Sequence, residues 1–180
     1  DKLSYNEAIE LAYYGASVIH PKTIQPLKNK KIPLYVKSFL DPSKPGTVVM
    51  ENDNFALNDI QCYIVKEYQS MVTIATKDFS FIIEDNLELI FSALNKAGIQ
   101  LNMMQNSAIS FIGCYNEDTL KTEELFALLA DKFEVSLAKD NTLLTVFNYN
   151  DGKSELDLII GLRRIRLEQK SNSALQLLLN

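Results

Sequence analysis

The only histidine of the chain, His20, stands directly before Pro21-Lys22-Thr23, and an imidazole in that setting invites general acid–base chemistry. A His-Pro pair also orients a turn, and that structural role is the preferred reading. Arg163, Arg164 and Arg166 are the only arginines and share one four-residue window. Guanidinium groups so placed can hold a phosphate or a ligand carboxylate. Strand alternation puts Arg164 and Arg166 on one face and Ile165 and Leu167 on the other, so a charge-guarded edge strand is preferred. Met103-Met104 offers a soft, adaptable contact surface, with core packing the simpler account. Phe111 and Tyr115 share a strand face, as base-stacking aromatics of RNA-binding sheets do. No Arg/Lys-Gly-Phe motif surrounds them and the net charge is −5, so a nucleic-acid partner is not expected. Cys62 and Cys114 lie in separate apolar runs and read as buried or half-buried thiols in a reducing cytoplasm. With one histidine and no clustered carboxylates, no metal site is expected.

The elements that must position these groups fall into two parts. All five prolines (21, 26, 33, 42, 45) precede residue 50, which marks a boundary there. Ser4 and Glu7 form an S-x-x-E capping box for a first helix with Ala8, Leu11 and Ala12 on one face. Gly15 stops it, and Pro21 argues for a short strand rather than a return to helix. Residues 50 to 58, with Asn52-Asp53-Asn54, read as a connecting loop. The opening Asp1-Lys2-Leu3-Ser4 has no signal-peptide anatomy, and without an initiator Met it reads as the cut start of a longer chain. No apolar run approaches the roughly 20 residues needed to span a bilayer, so no membrane partner is expected. Hydrophobic residues make up 47% of the chain, enough for a packed core.

Beyond the boundary the rhythm is regular. Met71 to Thr76 is a strand with β-branched residues at alternate positions. Asp85 and Glu88 are placed to form a capping box for a helix carrying Leu87, Ile90, Phe91, Leu94 and Ala97, ended by Gly98. Ile99 to Gln105 and Ala108 to Tyr115 are two strands joined by a tight turn at Asn106-Ser107. A helix from about Thr122 to Lys132 and a strand from Phe133 to Lys139 complete βαββαβ. The class is α+β, a ferredoxin-like unit with helices on one face of an antiparallel sheet. A shorter βαββ echo follows: Leu143 to Tyr149, a helix from Ser154 to Gly161, Ile165 to Gln169, and Ala174 to Leu179. It is too short to bury its own core and should share a sheet with the first unit or with a second subunit.

The run Ser4-Tyr5-Asn6-Glu7-Ala8 through Gly15-Ala16 to His20-Pro21-Lys22-Thr23 resembles the end of the catalytic domain of aspartate kinase. The likeness continues through Ile32 to Phe39 and Pro45-Gly46-Thr47-Val48-Val49. Tandem βαββαβ units after such a segment resemble the ACT domains of that family. The resemblance implies three parts: residues 1–50 from the kinase domain and linker, 59–140 a first ACT domain, and 141–180 an abbreviated second one. It implies a cytoplasmic enzyme that uses ATP and Mg²⁺ to phosphorylate the aspartate β-carboxylate at the head of lysine, threonine and methionine synthesis. The family's Lys-Phe-Gly-Gly-Thr-Ser phosphate loop is missing here, since no two of the six glycines are adjacent. This region should therefore be inactive alone and need no cofactor; an approach of Lys22 and Thr23 to the nucleotide side of the catalytic domain is the lesser reading.

By the same resemblance, an amino-acid effector, lysine or threonine, binds where ACT domains of a homodimer meet. The positions implied are Ser80, Ile83, Asp85 and Asn86 before and at the helix start, Gln100, Leu101 and Asn102 on the next strand, and Ser107 after it. A helix start suits an α-carboxylate, because its N–H groups lack partners. Asp85 stands where lysine-responsive relatives usually have glycine, and Asn102 where they tend to carry aspartate. The alternative is a structural dimerisation module with a vestigial pocket.

Overall fold

The computed structural model describes residues 2–16, 19–51, 61–78, 80–149 and 156–180. Most of the predicted 50–58 loop and the start of the predicted helix at Ser154 fall outside them. The chain divides into two compact units. The first comprises 1–64, 145–156 and 170–175, and the second 65–144, 157–169 and 176–180.

In the first unit, β1 (Lys2–Ser4), β2 (Leu34–Val36) and β3 (Thr47–Met50) form a three-stranded sheet in the order β1-β3-β2. Helices α1 (Tyr5–Tyr14) and α2 (Pro21–Asn29) accompany it. The capping box is reciprocal: Glu7 N–H donates to Ser4 Oγ at 3.2 Å, and Ser4 N–H donates to Glu7 Oε2 at 2.8 Å. Gly15 ends α1 at φ 119°, a left-handed conformation that costs glycine least. Among the described residues no strand precedes Thr23 after Gly15. Pro21 opens α2 instead of forbidding it, because a first-turn residue needs no N–H and its fixed φ is already helical. Tyr5, Ala8, Ile24 and Val49 form the buried core, and Tyr5 Oη donates to the Ile32 carbonyl at 2.6 Å.

The remaining elements are β4 (Cys62–Thr76), α3 (Glu84–Lys96), β5 (Leu101–Asn106), β6 (Ser110–Asn116), α4 (Thr119–Leu129), β7 (Phe133–Phe147), α5 (Leu156–Ile160), β8 (Ile165–Lys170) and β9 (Ala174–Leu179). Their strands make one six-stranded sheet, ordered β5-β6-β4-β7-β9-β8, with β5 and β8 at its edges. The α+β class and the ACT-type arrangement hold, and so do β9 and the Ser171–Ala174 turn before it.

Several boundaries differ, four of them for identifiable reasons. β4 starts nine residues before Met71, and β7 runs unbroken where two strands separated at residues 139 and 143 were expected. Both 15-residue strands tolerate one left-handed residue, Tyr68 at φ 54° and Asp140 at φ 58°, and the polar residues around these kinks hid the continuity. Helix α3 begins at Glu84, with Ile83 at the N-cap. Asn86 Oδ1 accepts from Ile83 N–H at 3.4 Å, so Asp85 and Glu88 do not make the predicted box. Helix α4 begins at Thr119 behind Asp118, whose Oδ1 accepts from Lys121 N–H at 3.2 Å. The Asp118 signal outranks the apolar stripe that suggested Thr122, because a cap precedes the first buried position.

The two faces of this sheet are filled differently. Val72, Ile74, Phe111 and Tyr115 pack under Ile90, Leu94, Leu125 and Leu129 of α3 and α4. Gly113 lets Leu101 lie across the strand there, since a Cβ would stand 2.8 Å from Leu101 Cδ2. On the opposite face Met71, Met103, Cys114, Leu143, Leu167 and Leu178 cluster, one residue from each of the six strands.

Candidate functional site

Where β4 ends and α3 begins, the loop is tied by its own backbone. Thr76 Oγ1 donates to the Ser80 carbonyl at 2.7 Å, Ser80 N–H donates to Asp78 Oδ1 at 3.1 Å, and Ile82 N–H donates to the Ala108 carbonyl at 2.8 Å. The hydrogen bonds from Ser80 hold the Asp78 carboxyl below its ordinary range. The Ile82 bond sets Ser80, Ile83, Asp85 and Asn86 beside the β5–β6 hairpin, whose turn contains Ser107. Ser107 Oγ is engaged inside that hairpin, accepting from Ser110 N–H at 3.1 Å. Phe81, Ile83, Met104 and Ile109 are exposed, so this end of the unit is markedly apolar.

Gln100, Leu101 and Asn102 lie elsewhere. They lie at the opposite end of β5, with Asn102 about 16 Å from Ser107 at roughly 3.3 Å per residue and the other two further away. The eight predicted positions thus form two groups at the two ends of one edge strand. Leu101 packs into the helix-face core. Gln100 is exposed, and Asn102 is the hub of a polar cluster.

That cluster was missed in the sequence. Lys66 Nζ donates to Asn102 Oδ1 at 2.8 Å, and Asn102 Nδ2 donates to Gln69 Oε1 and Asn116 Oδ1, each at 2.8 Å. Gln69 Nε2 donates to Asn116 Oδ1 at 3.0 Å, and the Cys114 thiol lies 3.6 Å from Gln69 Oε1. Burial lowers the Lys66 ammonium from its ordinary value and pushes the Cys114 thiol up to about 12. Asn141, fully buried on β7, donates to the Gln69 carbonyl at 3.1 Å, and Gln176 Nε2 reaches the Asn102 carbonyl at 3.5 Å. The available signal was Gln69-Ser70 ahead of an apolar strand, legible only once β4 is known to extend back through them.

Beside this cluster lies a cavity of about 330 Å³ lined by Gly98, Ile99, Gln100, Tyr115, Asn116 and Lys121. A second, equally large and more apolar hollow flanks α4, between Phe126 and Leu137.

The residues singled out first take structural roles. His20 Nδ1 accepts from Lys22 N–H at 3.1 Å and caps α2. Arg163 donates to the Ile159 and Ile160 carbonyls at the end of α5. Tyr115 Oη and Thr122 Oγ1 are 2.9 Å apart inside the core. Cys62 and Cys114 are free thiols, both with raised pKa through burial. Among the described residues no helix is long and apolar enough to cross a membrane.

No protein-family model matches the chain. Aspartokinase 1 of the Arabidopsis thaliana chloroplast is 27% identical over 157 residues, 87% of this chain and 27% of that protein. The bifunctional aspartokinase/homoserine dehydrogenase of Haemophilus influenzae is 32% identical over 61% of this chain and 13% of its own length. The chain therefore spans only a minor part of these relatives. Among solved structures, E. coli aspartokinase III in complex with lysine and aspartate superposes with a TM-score of 0.76 at 23% identity. That match covers 99% of this chain and 42% of the other.

Proposed function

The chain is homologous to the aspartokinases over most of its length, and from that premise we propose that it serves as the amino-acid-sensing, dimerising regulatory region of an aspartate kinase. The observation that carries this reading is the coincidence of aspartokinase sequence likeness with an ACT-type fold over nearly the whole chain. The parent enzyme would transfer the ATP γ-phosphate to aspartate, with Mg²⁺ and ATP held by its catalytic portion. This region alone would be inactive and would act in the cytoplasm or an equivalent stromal compartment.

The effector would be lysine or threonine, bound between two copies. Ser80, Ile83, Asp85, Asn86 and Ser107 lie at one end of β5 and Gln100, Leu101 and Asn102 at the other, so one small ligand spans both groups only across a two-fold pair of β5 edges. That an E. coli neighbour was solved with lysine and aspartate supports an amino-acid ligand. For feedback, the effector must bind one arrangement of the pair more tightly than the other.

Calorimetric titration of the chain with lysine, threonine and methionine, alongside sedimentation analysis, tests the reading. Saturable heat with one of them on a dimer supports it. A chain that gives no heat and no thermal stabilisation with any of the three is a dimerisation scaffold at most.

A further inference from the structure

The polar cluster on β4, β5 and β6 has a fixed direction. Amide oxygens and nitrogens exchange places easily in a network of amides alone. Here two groups at its ends break the symmetry. The Lys66 ammonium can only donate, so the Asn102 atom facing it at 2.8 Å must be the oxygen. Asn102 then presents its NH₂ to Gln69 Oε1 and Asn116 Oδ1. The Cys114 thiol, protonated at neutral pH, also faces Gln69 Oε1. Both constraints give the same result: Asn116 Oδ1 accepts twice, from Asn102 and from Gln69. Its NH₂ is the polar group left for the cavity that Asn116 lines.

The rest of that cavity is consistent in sign. Lys121 contributes an ammonium and Gln100 an exposed amide, while Ile99 and the Tyr115 ring supply apolar wall. Two acids stand near: Asp118 Oδ2 lies 3.8 Å from Lys121 Nζ while its other oxygen caps α4, and Glu117 Oε1 lies 3.4 Å from Lys139 Nζ. One partly compensated cation with two neutral donors balances a single negative charge better than a double one. A volume of about 330 Å³ accepts a molecule of amino-acid size.

We infer that this cavity is a binding site for a small monocarboxylate, its carboxyl group held by Lys121, the Asn116 NH₂ and Gln100, with Lys66 and Asn102 as positioning residues. The site is built within one chain, whereas the effector reading places its ligand between two copies; the two share Gln100 and Asn102, but only this one uses Asn116 and Lys121, so Lys121→Gln tests it apart from the effector reading.

The test is side-chain amide NMR of the whole 180-residue chain, titrated separately with butyrate and with inorganic phosphate. Saturable shifts of the Asn116 and Gln100 NH₂ signals by butyrate are expected, with phosphate at least tenfold weaker. Lys121→Gln, an exposed change that leaves the fold intact, should weaken butyrate at least tenfold. Asn102→Asp is the sharper variant. Its carboxylate has only acceptors, so Asn116 must turn its NH₂ inward and its oxygen toward the cavity, and butyrate binding should fall at least tenfold while the backbone spectrum is retained. Absence of saturable shifts with butyrate overturns the proposal, as does butyrate binding indifferent to Lys121→Gln. Phosphate binding tighter than butyrate overturns the ligand class.

Discussion

The two faces of the six-stranded sheet solve the same packing problem by different chemistry. Under α3 and α4 the fill is apolar, with Val72, Ile74, Ile90 and Leu125 all fully buried. The opposite face has its apolar cluster too, but it ends in Lys66, Gln69, Asn102 and Asn116, whose amides and ammonium satisfy one another, with Asn141 donating to the Gln69 carbonyl. An apolar face specifies shape loosely, because many side chains of similar volume would fill it. A polar cluster specifies orientation, because each donor must meet an acceptor. The contrast teaches where stability and where direction reside in this unit.

The strongest way to break the contrast is to hollow the helix face. Ile90→Ala should cost about 2–5 kcal/mol, read as a lowered urea midpoint with unchanged slope. An equal loss from an exposed position such as Leu128 would dissolve the distinction. On the polar face, Asn102→Leu leaves Lys66, Gln69 and Asn116 short of partners and should cost about 1–3 kcal/mol. Double-mutant analysis with Lys66→Met checks it: coupled losses are expected, and simple additivity would show that the cluster is not one unit.

Alkaline titration separates the faces further. The folded Cys114 thiol keeps its proton from its ordinary value of 9.0 up to about 12, whereas the unfolded thiol loses it. The native state then binds more protons, so stability falls as pH rises through that window, by at most about 1.4 kcal/mol per unit. Lys66, lowered by burial, acts in the opposite sense: its contribution improves as pH rises from its folded value toward 10.5. In Cys114→Ala the downward slope should shrink, leaving the contributions of Cys62 and Tyr115, which burial also raises, while the Lys66 rise remains, as followed by denaturation at successive pH values. A slope unchanged by that substitution would place its origin elsewhere. The smallest effect belongs to the cap of α4, where Asp118→Ala should cost about 1 kcal/mol and leave the polar cluster's amide signals in place.

How far each face was legible follows from the same difference. The stripe Ile90, Leu94 and Ala97, stopped at Gly98, announces α3, and alternation announces Val72 and Ile74, because periodicity is a local property. Pro21 was misread because a single residue serves both as a breaker and as a beginning, and local pattern does not say which; Asp118 was passed over for the apolar stripe behind it. The links among Lys66, Asn102 and Asn116 join residues 36 and 14 positions apart, and no local period encodes them. Asn102, expected from the resemblance at the effector site, sits in that cluster, and Ser80 to Asn86 lie at the far end of β5. That β5 separates them into two groups is geometry that a string of letters does not carry.

One bond already described bears on how the molecule comes into being. The Asn141 amide meets the Gln69 carbonyl across 72 residues of chain, and β4 and β7 are the two central strands of the sheet. On a ribosome adding about 5–20 residues per second, β4 waits roughly 4–14 s for that neighbour. The β5–β6 hairpin and its pairing with β4 are available earlier and shield one side of the waiting strand. Its other side, Cys62 to Thr76, is an open edge for those seconds, which makes the interval before β7 emerges the time when a chaperone matters most.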